Sequence, residues 1–286
     1  MSKFTSTDLK IGVCSFSFHR LLAAGKQDVF QYVLDCKALG CTQLDPWNAH
    51  LSPVKDGDAV IHAGRNPHAS HHLSAAGESY IDRVRAAADD AGLPFGTIAV
   101  DGAHIYEPAP EARAVNRANA YRWIDVAHRL GAAQVRIDAG GPEDMPEEVF
   151  EIITEGYRDL IARAGEHGIE VLLENHWGPT KVPANVEKLC DAVKGLGLLY
   201  DTHNWKPELR AEGQRRCAKY ARATHVKTFG FHPDGSPIDA DVQTPIRLLL
   251  QAGYDGTWGV ESVPRDGDEI GGARKTIELI RSLVRP

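Results

Sequence analysis

Three observations on the 286-residue chain predict an α/β fold, a (β/α)8 TIM barrel. Short apolar runs rich in Val, Ile and Leu alternate with longer segments of helical periodicity. Several of those runs end abruptly in a charged or amide side chain. No linker, low-complexity stretch or compositional break interrupts the series, so residues 1–286 read as one domain. The length suits this, because α/β barrels commonly occupy about 250 residues as a single domain.

The expected strands are Lys10–Ser15, Cys41–Leu44, Pro94–Val100, Gln134–Asp138, Ile169–Glu174, Leu196–Asp201, Ala223–Lys227 and Thr257–Glu261. Their near-continuous apolar character is that of parallel strands covered on both faces. Among the helical segments, Glu111–Leu130 carries Trp123, Val126, Ala127 and Leu130 at the spacing of one helical face. Pro146–His167 carries a stripe that includes Val149, Ile153, Leu160 and Ala164, with Asp144 expected to cap it and Glu147 and Glu148 in its first turn. Thr244-Pro245 opens another helix, and Gly168 and Gly253 close helices before strands. An open doubly wound sheet is the competing architecture, but its Gly-x-Gly-x-x-Gly fingerprint is absent. The irregular stretches are Asp45–Gly77, Gly230–Gln243 and Ser262–Gly271.

Composition excludes some functions. The chain is 43% hydrophobic and 25% charged, with a formal net charge of −7. No overall basic field invites nucleic acid or an anionic membrane. Five cysteines without CxxC spacing read as reduced thiols of a cytoplasmic protein. The N-terminus lacks the apolar core of a signal peptide, and no run approaches the roughly 18 apolar residues of a membrane span.

The strand ends carry the chemistry. VLLENHW at 171–177 places Glu174, Asn175 and His176 at the tip of a buried run. LLYDTHN at 198–204 does the same with Asp201, His203 and Asn204, and WGVE at 258–261 ends in Glu261. His225 and Lys227, two apart on one strand, share a face. In a (β/α)8 barrel these ends converge on one mouth, where active sites lie. Three carboxylates crowded there with an imidazole would raise one another's proton affinity, and a divalent cation relieves the conflict. Three oxygen donors and one nitrogen suit Mn2+, Mg2+, Co2+ or Zn2+. Singly, each residue also has a structural reading: a solvated edge for a glutamate, a core histidine for His225, an Asx turn for Asp201.

LLENH at 172–176, YDTHN at 200–204, THVK at 224–227 and GVES at 259–262 resemble the xylose isomerase-like barrels, the sugar phosphate isomerases/epimerases and their relatives. IGVCSFSF at 11–18 and the strand end at Cys41–Pro46 are in keeping with it. The resemblance implies one divalent ion, Mn2+ first among the candidates, held by Glu174, Asp201, His225 and Glu261. It implies that Glu174 and Glu261 also move the proton. The implied activity is a carbohydrate isomerase or epimerase that abstracts a proton beside a carbonyl through a metal-stabilised enediolate. Elimination from a keto-sugar, keto-inositol or keto acid by a lyase or dehydratase is the alternative. A DNA-repair endonuclease and a non-catalytic sugar sensor are remote alternatives. One departure stands out: many relatives carry His three residues after the aspartate, where this chain has Asn204.

His176, His203, Asn204 and Lys227 are the candidates for orienting a small sugar or keto-sugar. Asp45, Asp138 and His104 lie near other strand ends, and Phe16, Trp47, Trp177 and Trp205 are candidate apolar walls. His62, His68, His71 and His72 read as an exposed loop or lid. Homo-oligomerisation is compatible with the sequence.

Overall fold

The computed structural model describes residues 9–51, 73–238 and 240–284. Seven parallel strands run in the order β1-β7-β6-β5-β4-β3-β2, and helices cover the outside. They are β1 (Ile11–Val13), β2 (Thr97–Val100), β3 (Gln134–Ile137), β4 (Glu170–Glu174), β5 (Gly197–Asp201), β6 (Ala221–Thr228) and β7 (Trp258–Ser262).

The eighth expected strand is present only as a seam. Residues 42–47 lie between β1 and β2, bridged at Cys14–Asp45, Leu44–Phe95 and Trp47–Ala99, and they close the barrel. A regular ladder fails there for a definable reason. Pro46 has no N–H to donate. The N–H of Asp45 is diverted to the Tyr32 hydroxyl at 2.9 Å.

The helices are α1 (His19–Ala23), α2 (Val29–Leu39), α3 (Ala75–Ala91), α4 (Pro110–Leu130), α5 (Glu147–Gly165), α6 (Pro183–Ala192), α7 (Arg210–Cys217), α8 (Gln243–Gln251) and α9 (Glu269–Val284). Asp28 caps α2 by accepting from Gln31 N, and Ser74 caps α3 by accepting from Gly77 N. Proline stands in the first turn of α4 and α6, where its missing N–H costs nothing. Asp144 does not cap α5: Pro146 holds the N-cap position, with no side-chain hydrogen bond. No described helix is long and apolar enough to cross a membrane.

Strand register positions the site. Asp201 stands opposite His225, Lys227 opposite Glu261, and Glu174 opposite Leu199, which shares a face with Asp201. A bulge places the extra residue Arg222 on β6, between the pairs Leu198–Ala221 and Leu199–Ala223. Bulges re-aim the side chains beyond them, and this one puts Ala223, His225 and Lys227 in the inward phase. Beneath the polar tips, Leu172, Leu199 and Ala223 form a small apolar cluster of their own inside the barrel. Each lies two residues before Glu174, Asp201 or His225, so an apolar floor lies below the polar mouth.

Candidate metal centre at the barrel mouth

Glu174 ends β4, Asp201 ends β5, His225 lies within β6 and Glu261 within β7. All four are buried. One ligand atom from each lies within 4.8 Å of the others. His225 Nδ1 is the hub, 3.2 Å from Glu174 Oε1 and 2.9 Å from Glu261 Oε2. Backbone groups fix Asp201. Its Oδ1 accepts from the N–H of His203 at 2.6 Å and of Asn204 at 2.8 Å. Asn175 pins the end of β5 to β4, accepting from Asp201 N at 2.8 Å and donating to Asp201 O at 2.9 Å.

Two cations share the charge. Lys227 Nζ lies 2.7 Å from Glu261 Oε1, 3.2 Å from Asp201 Oδ2 and 3.1 Å from Asn204 Oδ1. Arg136, on β3, places Nε 3.0 Å from Glu174 Oε2 and Nη1 2.8 Å from Asp138 Oδ2 and 3.1 Å from Asp101 Oδ1. Burial pushes Glu174 up, and His176, Arg136 and His225 more than reverse it, leaving the carboxyl at about 2. Burial likewise opposes ionisation of Glu261, but Lys227 and His225 hold it well below the carboxylate range. Burial raises Asp201, with the negative charges of Glu261 and Glu174 adding to the rise against the pull of Lys227. Burial would lower His225, but Cys14 and Glu174 raise it well above the usual imidazole value.

The donor set fits a divalent ion. Glu174 Oε2 and Asp201 Oδ2 are buried oxygens that accept no hydrogen bond, although Arg136 Nε and Lys227 Nζ are 3.0 and 3.2 Å away. Each faces a cation without a directed hydrogen bond, so its lone pairs stay open to a further cation. Imidazole ligates only without its proton on the donor nitrogen, so His225 would give one up if it held an ion here.

The other candidates divide. Asp138 joins the site's edge, within reach of His176 Nδ1 at 3.4 Å, and forms a second carboxylate–histidine group with Glu174 and His176. Asn204 and Lys227 both lie against Asp201 and against each other. The His203 ring instead packs on Phe229 at 4.8 Å, with its Nε2 3.2 Å from Arg210 Nη2. His104 pairs with Glu107 at 2.5 Å and belongs to no described ligand group.

Asp45 is turned into the barrel, where its Oδ1 accepts from Thr97 N and Gln43 Nε2. A Cβ on Gly12 or Gly96 would collide with its carboxylate. Trp205 is no wall: it is 2% exposed, packed against Tyr200 and over Gly213. Trp177 is 59% exposed and lies against His176. Phe16 and Trp47 meet edge to face, with Trp47 Nε1 donating to Asp101 Oδ2. The expected His62–His72 loop lies outside the described residues.

Arg136 and Cys14 escaped the sequence reading. Arg136 sits in the run QVRI, where one charge in a strand buried on both faces was the available signal. Its position two residues before Asp138 gives both the same inward phase. Cys14 follows β1 and lies with His225 and Glu261 in a further ligand-type group.

Solved structures with the same overall fold are similar along nearly the whole chain. A 3-keto-D-glucoside 4-epimerase from E. coli is 15% identical with a TM-score of 0.69, covering 96% of this chain and 99% of that one. A xylose isomerase-like TIM barrel protein from Mycobacterium smegmatis, in complex with magnesium, is 19% identical with a TM-score of 0.67, covering 99% and 98%. A probable 3-DHS dehydratase from Bacillus anthracis is 14% identical with a TM-score of 0.67, covering 94% and 99%. No curated protein matches the sequence. The family model described as xylose isomerase-like TIM barrel matches residues 36–283, and the chain belongs to that family.

Proposed function

We propose that the protein is a divalent-metal-dependent isomerase or epimerase of a sugar or keto-sugar, working by proton abstraction beside a carbonyl. The observation that carries this reading is the convergence of Glu174, Asp201, His225 and Glu261 from four consecutive strands onto one buried point. The epimerase activity of the E. coli structural neighbour supports it. A divalent ion held by the four supplies Lewis acidity where negative charge develops on the carbonyl oxygen. Glu174 and Glu261 flank His225: one, ionised, takes the proton from carbon, and carbon regains a proton either from that same carboxyl, now protonated, or from the other carboxyl entering the step as the acid. Returning it to the opposite face gives an epimer; returning it to the next carbon gives an isomer. Lys227, Asn204 and His176 are the polar groups we assign to the substrate's oxygens. The apolar floor of Leu172, Leu199 and Ala223 keeps bulk water from entering beneath them.

The test is solvent-deuterium exchange over a panel of ketoses, inososes and hydroxy-keto acids, with Mn2+ and after chelation. The reading predicts that at least one ketose takes up deuterium beside its carbonyl without other change in mass, and that chelation stops it. Loss of water from the product assigns the site to a lyase, the reaction class of the B. anthracis neighbour. No exchange into any member of the panel overturns proton abstraction.

A further inference from the structure

The ring of ligand-type groups does not stop at Glu261. Around the wall the strands follow β4, β5, β6, β7 and β1, and the next inward position at the mouth belongs to Cys14. Val13 pairs with Val260, and the N–H of Cys14 donates to Val260 O at 2.8 Å, so Cys14 is the β1 counterpart of Glu261. Gly12, two residues earlier, faces the interior, since a Cβ there would strike Asp45; Cys14 shares that phase. Its sulfur, one His225 nitrogen and one Glu261 oxygen all lie within 4.8 Å of one another, and all three residues are buried. Cys14 does not join Glu174 and Asp201 within that limit, so it extends the cluster on the His225–Glu261 side only.

We propose that Cys14 adds a thiolate donor to the metal centre, making Cys14–His225–Glu261 a second, overlapping position selective for thiophilic ions such as Zn2+ and Co2+. This rests on the metal-centre reading above and refines it. The separations suit it: Zn–S is about 2.3 Å and Zn–N about 2.0–2.1 Å, so two donors of one ion lie at most about 4.4 Å apart, a gap that sub-ångström side-chain adjustment closes. Three protein donors with a position left open is the pattern of reactive rather than structural zinc sites. Glu174 and Asp201, grouped with His225 and Glu261 but not with Cys14, form the harder, oxygen-rich half. Oxygen donors suit Mg2+ and Mn2+, whereas thiolate draws Zn2+ and its like. The chain thus offers hard and soft ions different positions built on two shared residues. Burial keeps the thiol protonated without an ion; coordination expels that proton to solvent, as it does for any ligating thiol.

The test is the absorption spectrum of the chelator-stripped full chain reconstituted with Co2+, compared with Cys14→Ser and Cys14→Ala. Visible ligand-field bands report an ion at the centre whether or not sulfur is bound. A near-ultraviolet thiolate-to-cobalt charge-transfer band reports sulfur alone. The proposal predicts both features in the native chain, and loss of the charge-transfer band with the visible bands retained in both variants. It also predicts that Cys14→Ser lowers the ratio of Zn2+ to Mn2+ affinity by at least about tenfold, the lower end of what even groups one shell further out contribute. Visible bands without a charge-transfer band in the native chain overturn the thiolate donor and leave the four-residue centre standing. A charge-transfer band that persists in Cys14→Ser comes from another cysteine and overturns it equally. Absence of all cobalt bands overturns both the thiolate donor and the metal centre.

Discussion

Replacing Glu174 or Glu261 by glutamine is expected to lower turnover on the true substrate by on the order of 10²–10⁴, the contribution of a positioned general base. Glutamine keeps the shape and one oxygen donor but lacks the basic carboxylate. Each variant therefore retains part of its affinity for the ion while losing chemistry. Isotope exchange separates the two roles. The variant lacking the first base loses exchange into the carbon beside the carbonyl. The variant lacking the second group still exchanges but fails to complete the reaction, because deprotonation continues without productive return. Which glutamate acts first follows from the stereochemistry of the substrate. Near-native turnover in both variants would reduce the two carboxylates to metal ligands and remove the proposed mechanism.

Arg136→Met should destabilise the metal-free protein by about 3–5 kcal/mol, the cost of leaving buried carboxylates without their cation. Arg136 is 3% exposed and faces Asp101, Asp138 and Glu174, so little solvent is available to screen the loss. The pH dependence follows from Glu174. Its folded-state value, lowered to about 2, means that its ionised form stabilises the fold above about pH 4.5, and that this contribution is lost as pH falls toward 2. Removing Arg136 takes away one of the groups that lower it, so the variant loses stability at higher pH than the native chain. Denaturant midpoints from pH 7 down to pH 3 check both statements. An Arg136→Met chain as stable as the native one across that range would show that the guanidinium contributes nothing to the carboxylates around it.

Much of the site was legible because each polar group interrupts an apolar run at the place where a strand must end. Glu174, Asp201 and Glu261 stand out for that reason. His225 and Lys227 stand out by sharing a face. Other features stayed hidden because tertiary context determines them. The segment at 42–47 looks like a strand in sequence, but Pro46 and the Tyr32 hydroxyl take away two consecutive ladder donors, those of residues 45 and 46. Asp45 ends an apolar run just as Glu174 does, yet the missing side chains of Gly12 and Gly96 open a space that draws it inward. Trp205 could have faced a ligand equally well in sequence; Gly213, from a different element, makes room for it in the core. Arg136 stands out only as one charge in a strand covered on both faces, and its partners Glu174 and Asp138 emerge once β4 is placed beside it. Cys14 behaves in sequence as a small hydrophobe, and only the closed barrel brings it to His225. The charge argument for a cation also needs amending, since Lys227 and Arg136 already balance part of the negative charge.

The measurement that bears most directly on the central claim is metal stoichiometry in the native chain and in His225→Ala. Chelator-stripped protein is titrated with Mn2+, desalted, analysed for bound metal and melted. A ligand at 100 times its dissociation constant adds about 2.7 kcal/mol to the native state. The account predicts close to one ion per native chain with a raised melting temperature, and loss of both in a folded His225→Ala variant. No retained ion and no thermal shift in the native chain, or equal uptake by His225→Ala, would contradict it.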